Sequence, residues 1–225
     1  MTAAGDLASY IDHTLLKPEA RSGDIRKLCG EAKEFGFYSV CVNSGWVPLC
    51  REELQGTAVK VCAVVGFPLG ASLPEVKAFE AAKAAEYGAE EIDMVLAVGS
   101  LLEGNAEAVR DDIRQVVDAV KGRAIVKVIL ETGFLSDEQI VLACRLAEEA
   151  GAAFVKTSTG FGPGGATVEH VRLMRLSVSA AVRVKASGGV RDLETARSMI
   201  EAGAQRLGTS SGVALMSGAA GSSSY

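Results

Sequence analysis

Alternation is the feature that most constrains this chain. Eight short apolar runs recur: Ile11–Leu15, Ser39–Asn43, Lys60–Gly66, Glu91–Ala97, Ile125–Glu131, Phe154–Ser158, Val182–Ser187 and Arg206–Thr209. Between them lie longer amphipathic stretches: Ser22–Phe35, Val47–Leu54, Ser72–Tyr87, Asn105–Val120, Ser136–Ala150, Thr167–Ser179 and Asp192–Ala202. The short runs are rich in β-branched residues, as strands are. Their near-continuous apolar character suits a parallel sheet buried on both faces. Eight βα units in about 200 residues predict a single-domain TIM (β/α)8 barrel over residues 1–216. A doubly wound open sheet is the alternative, but no G-x-G-x-x-G follows the first run. Helix starts are marked by capping boxes at Ser72-Leu73-Pro74-Glu75 and Ser136-Asp137-Glu138-Gln139, and by Asp192 as an N-cap.

A weak internal repeat adds a register. Several helices end at a glycine, namely Gly36, Gly88, Gly122, Gly151 and Gly203. Five residues beyond each lie Cys41, Asp93, Lys127, Lys156 and Gly208, at nearly one height in the following strand. Lys127, Lys156 and Lys185 are also spaced 29 and 29 residues apart, each after a valine. Pointing outward, three cations would be buried under helices without partners, at high cost. Pointing inward, they would converge near the catalytic end of the barrel.

Composition excludes several classes. With 23 basic against 28 acidic residues and no basic block, nucleic acid is not an expected partner. No apolar run approaches a membrane span, and the N-terminus lacks a signal-peptide core. The five cysteines lack metal spacing and read as reduced thiols, so a cytoplasmic location is expected. Residues 217–225 are low in complexity and read as a flexible tail ending in Tyr225.

The lysines carry the expected chemistry. A free amine is mostly protonated at neutral pH. A second cation or desolvation frees it as a nucleophile. Lys156 and Lys185 on adjacent strands suit this: one amine attacks a carbonyl while the other stays charged. Asp93 is the best carboxylate for moving protons, although a structural salt bridge to Lys127 or Lys185 explains it equally. Lys127 reads as a charge partner rather than a reactant. Three glycine- and hydroxyl-bearing loops, at 159–165, 187–190 and 208–212, are candidates for phosphate. Two histidines on distant elements, His13 and His170, fit metal catalysis poorly, and His170 is expected on a helix surface. Cys41 lacks a histidine base and reads as a small buried residue.

At this point the sequence resembles the deoxyribose-phosphate aldolases, class I (Schiff-base) enzymes. The matching stretches run from Ile11-Asp12-His13-Thr14-Leu15-Leu16-Lys17-Pro18 through Val40-Cys41-Val42-Asn43, Val65-Gly66-Phe67-Pro68-Leu69-Gly70 and Glu91-Ile92-Asp93-Met94-Val95. They continue with Lys127-Val128-Ile129-Leu130-Glu131-Thr132-Gly133, Val155-Lys156-Thr157-Ser158-Thr159-Gly160-Phe161 and Val184-Lys185-Ala186-Ser187-Gly188-Gly189-Val190-Arg191. The resemblance implies a TIM barrel and reversible cleavage of 2-deoxy-D-ribose 5-phosphate to D-glyceraldehyde 3-phosphate and acetaldehyde, in deoxyribonucleotide catabolism. It implies Lys156 as the Schiff-base lysine, Lys185 as the lysine that perturbs it, and Asp93 as the proton carrier. Lys127, Cys41, Thr157 and Tyr225 take supporting places. Gly160, Gly188, Gly189, Ser210 and Ser211 would meet phosphate. Neither a metal nor an organic cofactor is implied, and a homodimer is expected. Another Schiff-base aldolase, or a non-catalytic barrel that binds a phosphorylated sugar, are the rival readings.

Overall fold

The computed structural model describes residues 7–219. All eight apolar runs form strands: β1 (Ile11–Leu15), β2 (Ser39–Asn43), β3 (Lys60–Val65), β4 (Glu91–Val95), β5 (Ile125–Ile129), β6 (Phe154–Lys156), β7 (Arg183–Ser187) and β8 (Arg206–Thr209). Each pairs in parallel with the next, and β8 returns to β1, so the sheet closes into a barrel. The open-sheet alternative is thereby excluded. Several strands stop short of their apolar runs. Beyond them the backbone bonds sideways at the mouth, as Leu130 N does to Lys156 O and Thr157 N to Lys185 O.

The expected helices form as α1 (Ser22–Phe35), α2 (Val47–Glu53), α3 (Pro74–Glu86), α5 (Ala106–Ala119), α6 (Asp137–Glu149), α7 (Val168–Ser177) and α8 (Leu193–Glu201). Two short ones were not expected: α4 (Val98–Leu102) and α9 (Gly212–Ser217). Both are too brief for helical periodicity to show. Ser136 caps α6 by accepting from Gln139 N, and the Gln139 side chain returns to Ser136 N at 2.9 Å. Asp192 caps α8 through Thr195 N at 2.7 Å. The box expected at Ser72 does not form. Leu73 takes the N-cap place without a side-chain bond, and Pro74, with its preset φ, opens the helix instead. All five helix-ending glycines have positive φ.

The main core lies between sheet and helices. Outward strand residues such as Val40, Val61, Ile92, Val126, Val155, Val184 and Leu207 pack against Leu28, Ala81, Ile113, Val116, Ile140 and Met174. Each such side chain contributes about 1.5–3 kcal/mol when fully buried. A buried ion pair also sits in this layer. Lys77 Nζ on α3 lies 2.7 Å from Asp112 Oδ2 on α5 and donates to Val95 O, pinning both helices to the end of β4. No helix among the described residues is long and apolar enough to cross a membrane. The barrel interior is different in kind. Beside a small cluster of Leu16, Cys41, Cys62 and Val64, backed by Phe67, and inward apolar residues such as Phe154, it holds a dense group of buried charges.

Candidate active site

Alternation along the strands sends Asp12, Glu91, Asp93, Lys127, Lys156, Lys185 and Arg206 to the barrel interior, where each is buried. Asp93 on β4 is the hub. Its Oδ1 accepts from Lys127 Nζ at 2.7 Å, and its Oδ2 accepts from Lys156 Nζ and Lys185 Nζ, both at 2.8 Å. Lys185 also reaches Asp12 Oδ2 at 2.5 Å, and Lys127 reaches Glu91 Oε2 at 2.6 Å. Arg206 closes the ring by donating to Asp12 Oδ1 at 2.8 Å and Glu91 Oε2 at 2.9 Å. Ser39 donates to Asp12 Oδ1 as well.

The three lysines therefore point inward, as expected, and the outward arrangement is excluded. Their heights need one correction. Lys156 and Lys185 are Cα partners across β6 and β7, but Lys127 faces Phe154 while Ile129 faces Lys156. Lys127 thus lies two residues deeper, because the stagger of a tilted barrel shifts neighbouring strands. The salt bridge left open for Asp93 exists, and it includes Lys156 in addition to Lys127 and Lys185.

Burial opposes ionisation of Asp93, but Lys127, Lys156 and Lys185 beside it hold its carboxyl well below the usual range. Asp12 is lowered in the same way, with Lys185, Lys127 and Arg206 outweighing burial. Burial works against charge on Lys127 and Lys185 too. The facing carboxylates win, and both amines are held above the ordinary lysine value. Arg206 is raised by Asp12 and Glu91 against the same penalty. Three carboxylates, Asp12, Glu91 and Asp93, therefore face four basic side chains, Lys127, Lys156, Lys185 and Arg206. Lys127 and Lys185 are 0% exposed, whereas Lys156, the last residue of β6, keeps 3%. Of the three lysines it is the one with any exposure.

Thr157 carries β6 onward. Its hydroxyl donates to Ser187 O at 2.9 Å and accepts from Ser187 N at 3.0 Å, which keeps Lys156 alongside β7. The proposed phosphate loops follow β6, β7 and β8 at the same end. Gly160, Gly188 and Gly189 have φ of 88°, 84° and 84°, a region where glycine is favoured. Ser210 and Ser211 line a cleft of about 680 Å³ together with His13, Thr14 and Lys17. The Ser211 amide is already engaged by Thr209 Oγ1 at 2.9 Å. Phe67 and Phe161 meet edge to face, with ring centroids 5.3 Å apart, bridging the loops after β3 and β6.

All five cysteines are buried and unpaired. Cys41 packs in register with Cys62 inside the barrel, without a histidine base. Cys62 donates to Asp93 Oδ1 at 3.1 Å, and burial, together with that carboxylate, pushes its thiol upward. Cys41, Cys62 and Asp93 bring two sulfurs and a carboxylate within 4.8 Å of one another. Lys127 Nζ lies 3.3 Å from that Cys62 sulfur and 2.7 Å from Asp93, so a metal ion would face an existing cation. His170 lies on α7, as expected, but is half-buried rather than on the surface. Tyr225 falls outside the described residues.

Sequence reasoning missed Asp12, Glu91 and Arg206. The signal was present. Each is a charged residue in an apolar run, and Glu91 shares the face of Asp93 by period-two alternation.

A family model described as DeoC/LacD family aldolase matches residues 7–218. A deoxyribose-phosphate aldolase from Geobacillus sp. (strain WCH70) is 57% identical over 220 residues, covering 98% of this chain and 99% of that protein. One from Carboxydothermus hydrogenoformans is 55% identical and covers 100% of both chains. The structure of the deoxyribose phosphate aldolase from Aeropyrum pernix, described as a tetramer, superposes with a TM-score of 0.89 at 37% identity, over 96% of this chain and 91% of that one. By sequence and by fold, the chain belongs to the DeoC/LacD family of aldolases, among the deoxyribose-phosphate aldolases.

Proposed function

We propose that the enzyme cleaves 2-deoxy-D-ribose 5-phosphate reversibly to D-glyceraldehyde 3-phosphate and acetaldehyde through a Schiff base on Lys156. The observation that carries this is the shared oxygen. Lys156 and Lys185 sit on one Asp93 oxygen, at 2.8 Å each, and of the three lysines Lys156 is the one with any exposure. Lys185, held by Asp12 as well as Asp93, is the cation placed beside that amine. A barrel that only bound a phosphorylated sugar would not need this cluster.

In the synthetic direction the Lys156 amine adds to the carbonyl carbon of acetaldehyde. Lys185 supplies a proton as the carbinolamine loses water, giving an iminium ion. The iminium is the electron sink. Asp93, through a water molecule, takes a methyl proton and leaves an enamine. The enamine carbon forms a bond to the aldehyde carbon of glyceraldehyde 3-phosphate, whose oxygen takes up a proton. Water then releases deoxyribose 5-phosphate and restores the amine. Proton transfers by placed groups contribute about 10²–10⁴-fold each. The backbone of Gly160, Gly188 and Gly189, with Ser210 and Ser211, would hold phosphate and fix the acceptor aldehyde. Cys41 and Tyr225 remain supporting positions in this reading. The proposal includes a homodimer, which sedimentation measures.

Borohydride trapping tests the reading. Reduction with acetaldehyde present should place an ethyl group on Lys156, located by peptide mass, and Lys156→Arg should fold without being labelled. Label on Lys185 instead would reverse the roles of the two lysines. A folded enzyme that takes no label would refute the Schiff base.

A further inference from the structure

Glu131 follows β5 and has left-handed backbone, φ 55° and ψ 61°, unlike any other non-glycine residue among the described residues. A side chain there is strained and persists where its surroundings hold it. Its carboxylate is buried, yet it takes no part in the ion cluster. It turns instead onto the loop after β6. Thr159 N donates to Oε1 and Oε2 at 3.2 Å each, and the Thr159 hydroxyl donates to Oε2. The same hydroxyl accepts from Phe161 N at 3.0 Å. One carboxylate thus commits the amides on either side of Gly160. The Gly160 amide between them makes no hydrogen bond among the described residues.

Shape reinforces the clamp. A Cβ at Gly162 would lie 2.8 Å from Glu131 Cδ, and one at Gly133 would collide with Pro163 O. On its other side the loop leans on β7, where Ala166 N donates to Gly188 O at 2.9 Å and a Cβ at Gly165 would meet the same oxygen. Loop 159–166 is therefore wedged between the turns after β5 and β7. A carboxylate this close to a phosphate loop repels a dianion, so any benefit from positioning has to outweigh that repulsion.

We propose that Glu131 is a positioning residue. It presets the Gly160 amide for the phosphate end of the substrate, and so sets the preference for phosphorylated over unphosphorylated substrate. The proposal rests on the aldolase reading above. Glu131→Gly removes the carboxylate and relaxes the backbone, and Glu131→Gln keeps the shape without the charge. Inorganic phosphate should bind both variants about tenfold more weakly in calorimetric titration. The ratio of kcat/KM for deoxyribose 5-phosphate to that for deoxyribose should fall by a similar factor. The rate at which acetaldehyde is trapped should stay within about twofold. Unchanged or tighter phosphate binding by Glu131→Gln would overturn the proposal, since relief of charge repulsion alone tightens it. Equal losses on both sugars and in trapping would also overturn it, in favour of a general structural role. If the unsubstituted enzyme traps no acetaldehyde, the Schiff-base reading fails, and the phosphate titration still decides the role of Glu131.

Discussion

Around Asp93 the packing is tight enough for a single methyl group to matter. Gly208 on β8 lies beside Lys185, and a Cβ there would sit 3.0 Å from Lys185 Cε and 2.9 Å from Ser187 Cβ. Its φ is not in the left-handed region, so alanine is permitted by the backbone. Gly208→Ala is therefore expected to displace the Lys185 amine while the fold persists. We expect kcat/KM to fall about 10–100-fold with a melting point within a few degrees of the parent. Unchanged kcat/KM would mean that Lys185 moves without penalty. At this scale the lysines and Asp93 were legible because a charge in an apolar strand demands a reason. Arg206 and Asp12 met the same criterion, but each stands alone in its run, without a repeat to draw attention to it. The Glu131 clamp was not legible, because a positive φ on glutamate leaves no mark in sequence.

Among the elements, the strands and long helices followed from period and caps, while their ends did not. Strand ends at the mouth depend on loop hydrogen bonds formed between distant segments. The two candidate capping boxes separate the cases. Ser136 accepts from Gln139 N, whereas Ser72 makes no cap bond. Ser136→Ala should cost about 1 kcal/mol in chemical denaturation. Ser72→Ala should stay within about 0.5 kcal/mol. Neither should alter kcat. Equal losses would show that helix α3 uses Ser72 in solution. The deeper seat of Lys127 belongs to this scale too. Counting from each glycine gives a height along one strand, but stagger between strands appears only when the barrel closes.

For the whole molecule, the ion cluster makes stability a function of pH. Asp12 and Asp93 have lowered values in the folded state, so their contribution is complete above the unfolded carboxylate value. It is lost as pH falls below about 4. Lys127 and Lys185 are raised, so theirs is complete below the unfolded lysine value and is lost as pH rises above about 10. From this cluster we expect a plateau in the urea midpoint between about pH 4 and about pH 10, with losses outside it. A steady rise across the alkaline half of that plateau would mean that Lys127 or Lys185 gives up its proton while folded, because the unfolded chain would then bind more protons than the folded one.

The link between Asp12 and Arg206 spans 194 residues, joining the first strand to the last. During synthesis, β8 is the last strand to leave the ribosome. Until it does, Asp12 and Glu91 lack their arginine and the barrel has no closing seam. The cluster around Lys156 is therefore assembled only on a finished chain.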